Sequence, residues 1–303
     1  MNLPRFIITG FPKCGSTSLH YYLDAHPDIF MPKKKELHFF TQQFISKLNQ
    51  GPGDINAKQT QIKHFNDYIS LFKNSSDEKI VGETSPSYIN YPESFEMISS
   101  QLKDPKIIIL LRDPIKRAYS NFLHLKREQR ELETFESALE LEESRKEKNY
   151  SDFWYYTFNS MYYEKIIKAK ANFSQVLILT QEEFNLETKK TLKKVYSFLD
   201  VDQNFVPSNY NNRYNKGGLY KKNLITNFIF GQGYVKGLIK KWISVRPWMK
   251  NIKNRFVSKF HYSAPILDRK VEQKLINLFK QDVLKITKLG VNTSLWNNGY
   301  FTK

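Results

Sequence analysis

The sequence predicts an α/β protein with a mostly parallel central sheet flanked by helices. Three observations carry that expectation. Short apolar runs near Arg5, Lys79, Lys106 and Val176 alternate with segments of helical spacing. The run from Lys106 to Leu111 is nearly all apolar, as a parallel strand covered on both faces must be. The first run, Phe6-Ile7-Ile8, leads through two glycines and a lysine into a helix that opens on small hydroxyl residues, the outline of a phosphate-binding loop.

Taken in order, Phe6-Ile7-Ile8 is the first buried strand and Ser16 to Ala25 the first helix, ended by His26-Pro27 because the residue before proline is pushed out of the helical region. His26 is therefore read as structural. Ile29-Phe30-Met31 is a short apolar stretch, and an amphipathic helix is expected near Gln61 to Phe72, with His64 as a surface or packing residue. Lys79-Ile80-Val81-Gly82 is a strand, Lys106–Leu111 another, and a helix starts at Ile115. Thr134 to Lys148 reads as a charged, solvent-facing helix. The aromatic block Phe153-Trp154-Tyr155-Tyr156 belongs to the core and leads into a helix near Asn159 to Lys170. Val176–Thr180 is a buried strand, Glu187–Leu199 a helix, and Val271–Leu289 a final amphipathic helix. Ligand is expected at the carboxyl ends of the strands, where Lys13, Glu83 and Arg112 fall.

A chain of 303 residues, 40% hydrophobic and 15% aromatic, suffices for one large core, and a single domain over residues 1–303 is expected. With 47 Lys plus Arg against 30 Asp plus Glu, the net charge of +17 calls for anionic partners. The basic excess peaks in an aromatic-rich stretch over about 213–262. Acidic glycan or peripheral membrane contact is expected there, nucleic acid is not, and a plain basic helix pair packed on the domain fits as well. The lone cysteine, Cys14, excludes an intrachain disulfide and fits a reducing compartment. No leader pattern precedes the first strand and no apolar run is long enough to span a bilayer, so the expectation is a cytoplasmic protein, or one peripheral to a membrane.

The chemistry concentrates in three motifs. In Thr9-Gly10-Phe11-Pro12-Lys13-Cys14-Gly15-Ser16-Thr17-Ser18, backbone N–H groups at a helix start favour an anion. Lys13 adds a mobile positive charge, and Ser16, Thr17 and Ser18 add hydroxyl donors. A Walker loop would place its lysine directly after the second glycine. Here Ser16 stands at that position and the lysine lies inside the loop, which argues against a P-loop nucleotide kinase. In Lys33-Lys34-Lys35-Glu36-Leu37-His38-Phe39-Phe40, a carboxylate and an imidazole are held near an electropositive site; the plainer reading is a solvated charge run anchored by Phe39 and Phe40. Arg112-Asp113-Pro114 closes the most apolar strand, and a helix carrying Arg117, Ser120 and His124 follows. Arginine at a strand end suits paired, charge-assisted bonds to phosphate oxygens.

Together these motifs resemble the sulfotransferases that use 3′-phosphoadenylyl sulfate (PAPS), and within them the glycosaminoglycan and heparan-sulfate branch. The loop is similar to the family's 5′-phosphosulfate loop, P-K-x-G-[ST]-[ST]; R-D-P-x-x-R-x-x-S is similar to its 3′-phosphate segment; and K-E-x-H-F-F resembles the glycan-acting branch. The resemblance covers about residues 5–220. It implies a P-loop-like sulfotransferase fold and transfer of a sulfonate from PAPS to an acceptor hydroxyl or amine, a saccharide being favoured, with no metal required. It implies that Lys13, Cys14, Gly15, Ser16, Thr17 and Ser18 hold the phosphosulfate, and that Arg112 and Ser120 bind the 3′-phosphate. Lys216 and Gly217, in Asn215-Lys216-Gly217-Gly218, would belong to a late loop over the nucleotide. Catalysis would fall to Lys13, to Glu36 as general base and to His38 as supporting or substitute base. Thr84 replaces a lysine that relatives carry after the second strand's Gly-Glu, and Glu83 is the next candidate base. A non-catalytic binder of acidic glycan or membrane is the remaining alternative, but it would have no use for paired 5′- and 3′-phosphate contacts.

Overall fold

β1 (Phe6–Gly10) is the middle strand of a five-stranded, all-parallel sheet of order β2-β3-β1-β4-β5, with β2 at Ile29–Phe30, β3 at Ile80–Thr84, β4 at Lys106–Leu111 and β5 at Val176–Thr180. The computed structural model describes residues 3–55, 62–75, 78, 80–210, 212, 219–220, 261–262 and 264–302. Phe6 pairs with Gly82 on one side and with Lys106 on the other, so the β1, β3 and β4 carboxyl ends lie side by side. The chain passes from β1 to the edge strand β2, steps back to β3 beside β1, and then crosses to the far side of β1 with β4. This reversal of strand order opens the crevice where ligands of such sheets sit.

Burial explains the strand assignments. All five residues of β1 and β3 are buried, and Ile107 to Leu111 of β4 are at most 2% exposed. Each of the buried Phe, Ile, Val and Leu side chains among them contributes ~1.5–3 kcal/mol by leaving water. Ile109→Ala at the sheet centre would cost ~2–5 kcal/mol.

Among the described residues the helices are α1 (Ser16–Leu23), α2 (Gln42–Ile45), α3 (Phe65–Ser70), α4 (Phe95–Leu102), α5 (Pro114–Arg127), α6 (Phe135–Glu140), α7 (Glu142–Glu147), α8 (Tyr163–Asn172), α9 (Gln181–Leu186), α10 (Thr188–Leu199) and α11 (Arg269–Lys288). α5 begins on a strong local signal. Pro114 occupies the first turn, where its missing N–H costs nothing, and the Asp113 side chain accepts from the Lys116 N–H at 3.0 Å. α11 is capped likewise by Asp268 and buries Val271, Leu275, Phe279, Val283 and Ile286 along one face. Among the described residues, no helix is long and apolar enough to cross a membrane.

Two expectations change. Thr134–Lys148 is not one solvent-facing helix but α6 and α7, and Glu142 and Arg145 are buried. Glu142 accepts from the Thr157 and Phe158 N–H groups, and Arg145 forks onto Glu131, so the charges are consumed internally. Ile29–Phe30 pairs with Ile80–Val81 as an edge strand too short to show a period. His26 is structural, as read: its Nδ1 accepts from the Asp28 N–H, which leaves Nε2 to donate to the Asp202 carbonyl at 2.9 Å. Leu219–Tyr220 pairs antiparallel with His261–Tyr262; the basic stretch between them lies outside the described residues.

Candidate active site

The loop after β1 is built on two residues that only glycine fills easily. Gly10 has φ +135, and a Cβ there would sit 2.5 Å from the Leu110 carbonyl oxygen. Gly15, at φ +100, turns the chain into α1 from the left-handed region. Lys13 also takes a positive φ, 74°, an uncommon conformation for a lysine and a mark of a loop held by its surroundings. Lys13, Gly15, Ser16, Thr17 and Ser18 line a cavity of about 940 Å³ at the carboxyl edge of the sheet. Burial, with Arg127 and Arg112 nearby, lowers the Lys13 ammonium to about 8. A cation so placed gains strongly from an arriving anion.

Arg112 and Ser120 line the same cavity. Arg112 follows β4, and its Nη1 donates to the Lys13 carbonyl at 3.2 Å. The Arg112 carbonyl in turn accepts from the Tyr162 hydroxyl at 2.8 Å. Behind the loop, fully buried Arg117 donates to the Ser160 hydroxyl at 2.7 Å, the Tyr156 carbonyl at 2.7 Å, Asn121 Oδ1 at 3.0 Å and the Pro12 carbonyl at 3.4 Å. It thereby anchors the loop from inside. Gln181, which opens α9, reaches the Lys13 carbonyl from the third side at 3.4 Å.

Glu36 and His38 also line the cavity, from the segment after β2. Both have positive φ, and the Glu36 N–H donates to the Thr84 carbonyl at 2.8 Å, which seats the segment on the end of β3. Burial works against the Glu36 carboxylate, but the ion pair with Lys35 and the nearby His38 and His124 together outweigh it and hold the carboxyl below its usual range. Burial lowers the His38 imidazole to about 4, so it is neutral at pH 7. Its Nδ1 bonds the Ser87 hydroxyl at 2.7 Å, and Thr41 bonds the same hydroxyl at 2.8 Å. Nε2 is left as the ring nitrogen outside that bond.

The structure adds residues to which the motifs gave no role. His124 and Glu128 follow Ser120 at four-residue steps along and just past α5, and all three line the cavity. His124 Nδ1 takes a bond from Arg127 at 2.6 Å and Nε2 faces Glu128 at 3.3 Å. Burial would raise the Glu128 carboxyl, yet the bonds to His124 and Arg130 bring it down to about 2. Asp54, Asn90, Arg130 and Asp152 complete this wall. The i, i+4, i+8 spacing from Ser120 was the available signal for His124 and Glu128; Asp54 and Asn90 have none in sequence.

Two candidates fall elsewhere. The Cys14 side chain is 1% exposed and belongs to the core rather than the cavity lining. Burial pushes its thiol up to about 12, and its N–H is committed to the Phe11 carbonyl at 3.3 Å, so it is a packing residue of the loop. Glu83 is wholly buried and does not line the cavity, which removes it as a reserve base. Thr84, buried as well, bonds His20 Nδ1 at 2.9 Å. Lys216 and Gly217 lie outside the described residues. Among the described residues no group of three or more His, Cys, Asp or Glu is placed to hold a metal ion.

The same stretch that builds this site is shared with known proteins. Residues 4–204 match the model of the sulfotransferase family. A membrane-associated sulfotransferase, kil1, of Dictyostelium discoideum is 38% identical over 120 residues, covering 40% of this chain and 22% of that protein. Heparan sulfate glucosamine 3-O-sulfotransferase 3B1 of Homo sapiens is 31% identical over 135 residues, 45% of this chain and 30% of that protein. The chain thus spans less than a third of the length of these two relatives. Among solved structures, a sulfotransferase from Alicyclobacillus acidocaldarius superposes with a TM-score of 0.75 at 28% identity, over 98% of this chain and 99% of that one. The matched stretch contains the β1 loop, the Glu36 segment and the β4 arginine together, and the chain belongs to the sulfotransferase family.

Proposed function

We propose that the chain transfers a sulfonate group from PAPS to a hydroxyl of a saccharide acceptor. The observation that carries this reading is one cavity that joins a cationic, donor-rich end to a carboxylate and a neutral imidazole. Lys13, the first turn of α1, Arg112 and Ser120 form the first end and fit a ligand bearing anionic groups at two points. PAPS is such a ligand. Lys13 sits in the loop where negative charge grows as the donor's bridging S–O bond breaks, and preorganised charge of this kind is typically worth ~10²–10³ in rate.

Glu36 is the proposed base. It takes the proton of the acceptor hydroxyl as the oxygen forms its new bond to sulfur, and adenosine 3′,5′-bisphosphate leaves with the electrons of the broken S–O bond. Lys35 keeps Glu36 ionised and so ready to accept a proton. His38, neutral and anchored through Nδ1 by Ser87, orients the acceptor or substitutes as base. The saccharide acceptor draws support from the heparan sulfate relative and from the Glu36 segment. Peripheral membrane contact through 213–262 is a further part of the proposal, motivated by the basic composition there and by the membrane-associated relative.

The test is ligand-dependent melting. Adenosine 3′,5′-bisphosphate raises Tm while ATP at the same concentration does so far less; equal stabilisation by ATP would move the reading to a nucleotide kinase.

A further inference from the structure

The turn after β3 joins the two halves of the site through one buried serine. The Ser85 N–H donates to the Ile8 carbonyl of β1 at 3.0 Å, just before the glycine that opens the Lys13 loop. The Ser85 hydroxyl accepts from the Leu37 N–H at 3.1 Å and from the His38 N–H at 3.2 Å. The Glu36 N–H donates to the Thr84 carbonyl at 2.8 Å, so the main-chain donors of Glu36, Leu37 and His38 all end on Thr84 and Ser85. Ser85 is wholly buried and, unlike Pro86 and Ser87, does not line the cavity. Two incoming N–H groups occupy both lone pairs of its oxygen, which leaves it no acceptor site for a ligand.

The Glu36 segment needs such a support. Glu36 and His38 both have positive φ, 61° and 54°, a conformation that residues other than glycine keep only when their surroundings over-determine it. Leu37 between them is wholly buried and packs into the core, while the Glu36 and His38 side chains line the cavity. Removing the Ser85 oxygen takes the partner from two main-chain donors of this segment and frees it to relax out of its two left-handed residues.

We propose that Ser85 is a positioning residue for the transfer step: bonded to β1 through its N–H and to the Glu36 segment through its hydroxyl, it holds the base in fixed relation to the loop that carries the donor. The inference rests on the sulfonate-transfer reading and adds the device that registers its two ends. A misplacement of about 1 Å between reacting groups costs ~10²-fold in rate. Donor binding, which falls to Lys13, Arg112 and Ser120, does not pass through the Ser85 hydroxyl.

The experiment compares Ser85→Ala and Ser85→Thr with the unsubstituted full chain. Binding of adenosine 3′,5′-bisphosphate and transfer of label from PAPS to a mixed saccharide acceptor are measured for each. Absence of either in the unsubstituted chain overturns the sulfonate-transfer reading and this inference with it. Ser85→Ala keeps its bisphosphate affinity and loses ~10²-fold in kcat, with KM little changed. Ser85→Thr keeps the accepting oxygen and retains most of the rate. Combined with Glu36→Gln, Ser85→Ala adds little further loss, because both act through one carboxylate. Amide exchange at Leu37 and His38 is slow in the unsubstituted chain and fast in Ser85→Ala, while β1 and β4 stay protected in both. With bisphosphate bound and label transferred by the unsubstituted chain, any of four results overturns this inference alone: unchanged kcat in Ser85→Ala, Ser85→Thr as slow as Ser85→Ala, losses that multiply in the double variant, or fast exchange at Leu37 and His38 in the unsubstituted chain. A Ser85→Ala chain that loses bisphosphate binding or fails to fold does the same, since Ser85 then supports the fold at large.

Discussion

Arg112 Nη1 donates to the main-chain carbonyl of Lys13 at 3.2 Å, which ties the end of β4 to the loop after β1 across the crevice where the strand order reverses. One guanidinium thus fixes the loop that carries Lys13 and presents its remaining N–H groups to the same cavity. Two cations held in fixed relation suit a ligand with two anionic groups a fixed distance apart, and neither side chain alone would discriminate it.

Replacing Arg112 with lysine should therefore be far from conservative. Lysine keeps the charge but loses the fork that reaches the carbonyl and the ligand together. Arg112→Lys is expected to weaken adenosine 3′,5′-bisphosphate by ~10²-fold in calorimetry, within the range for a buried charged pair, while the melting temperature of the free protein falls little. Unchanged affinity would show that the ligand does not use Arg112.

Binding should also depend on pH through Lys13. Burial and the neighbouring arginines lower its ammonium to about 8 in the free protein, and a bound anion raises it again. Affinity for the bisphosphate is greatest below about 8 and falls as pH rises through that value, with proton uptake on binding at the alkaline end. Lys13→Ala should abolish this dependence. A slope that survives in Lys13→Ala assigns it to another group.

Glu83 gives a stability prediction with the opposite sense to a salt-bridged carboxylate. Burial pushes its carboxyl up to about 8, although the Tyr88, Tyr68 and Ser85 hydroxyls beside it work the other way. The unfolded chain releases this proton near the ordinary value of 4.5, the folded chain only near 8, so the folded state loses stability as pH rises between them. Glu83→Gln keeps the shape and removes the ionisation. Its Tm should gain on that of the unsubstituted protein as pH is raised, by at least ~2 °C near neutrality, if only about 1 kcal/mol is recovered. A constant difference across the range would show that Glu83 ionises normally.

Two residues compete for the proton of the acceptor. Glu36→Gln should leave bisphosphate affinity nearly unchanged and lower turnover by ~10²–10⁴. His38→Ala should cost less, because its imidazole, lowered to about 4, is a weak base anchored by Ser87. If His38→Ala abolishes transfer while Glu36→Gln retains most of it, the imidazole is the base.

The parts of this site that could be read in the sequence were those whose chemistry is local. Gly10, Lys13, Gly15 and Ser16 announce the loop because a tight turn into a helix demands those residues at those offsets. Asp113-Pro114 announces the start of α5 for the same kind of reason. β4 was legible because burial on both faces leaves an uninterrupted apolar run. β2 was not, since two residues show no period, and its pairing with Ile80–Val81 is a tertiary fact. The stretch of cavity lining that carries Asp54, Asn90 and Asp152 was hidden more completely. Asp54 and Ser151 are 97 positions apart, and Asn90 and Asp152 are 62 apart, so nothing near any of them marks the contact. Cys14 misled through its position in the loop, because its neighbours face the cavity while its thiol turns into the core.

The central claim is sulfonate transfer at the Lys13–Arg112 end of the cavity. The measurement that tests it most directly is product mass after incubation with PAPS labelled in the sulfonate and a mixed saccharide acceptor, for the unsubstituted chain beside Lys13→Ala. The account predicts one added sulfonate per product molecule, formation of adenosine 3′,5′-bisphosphate in equal amount, and a rate ~10²–10³ lower for Lys13→Ala. Tight bisphosphate binding without any labelled product, or equal rates for the two proteins, would contradict it.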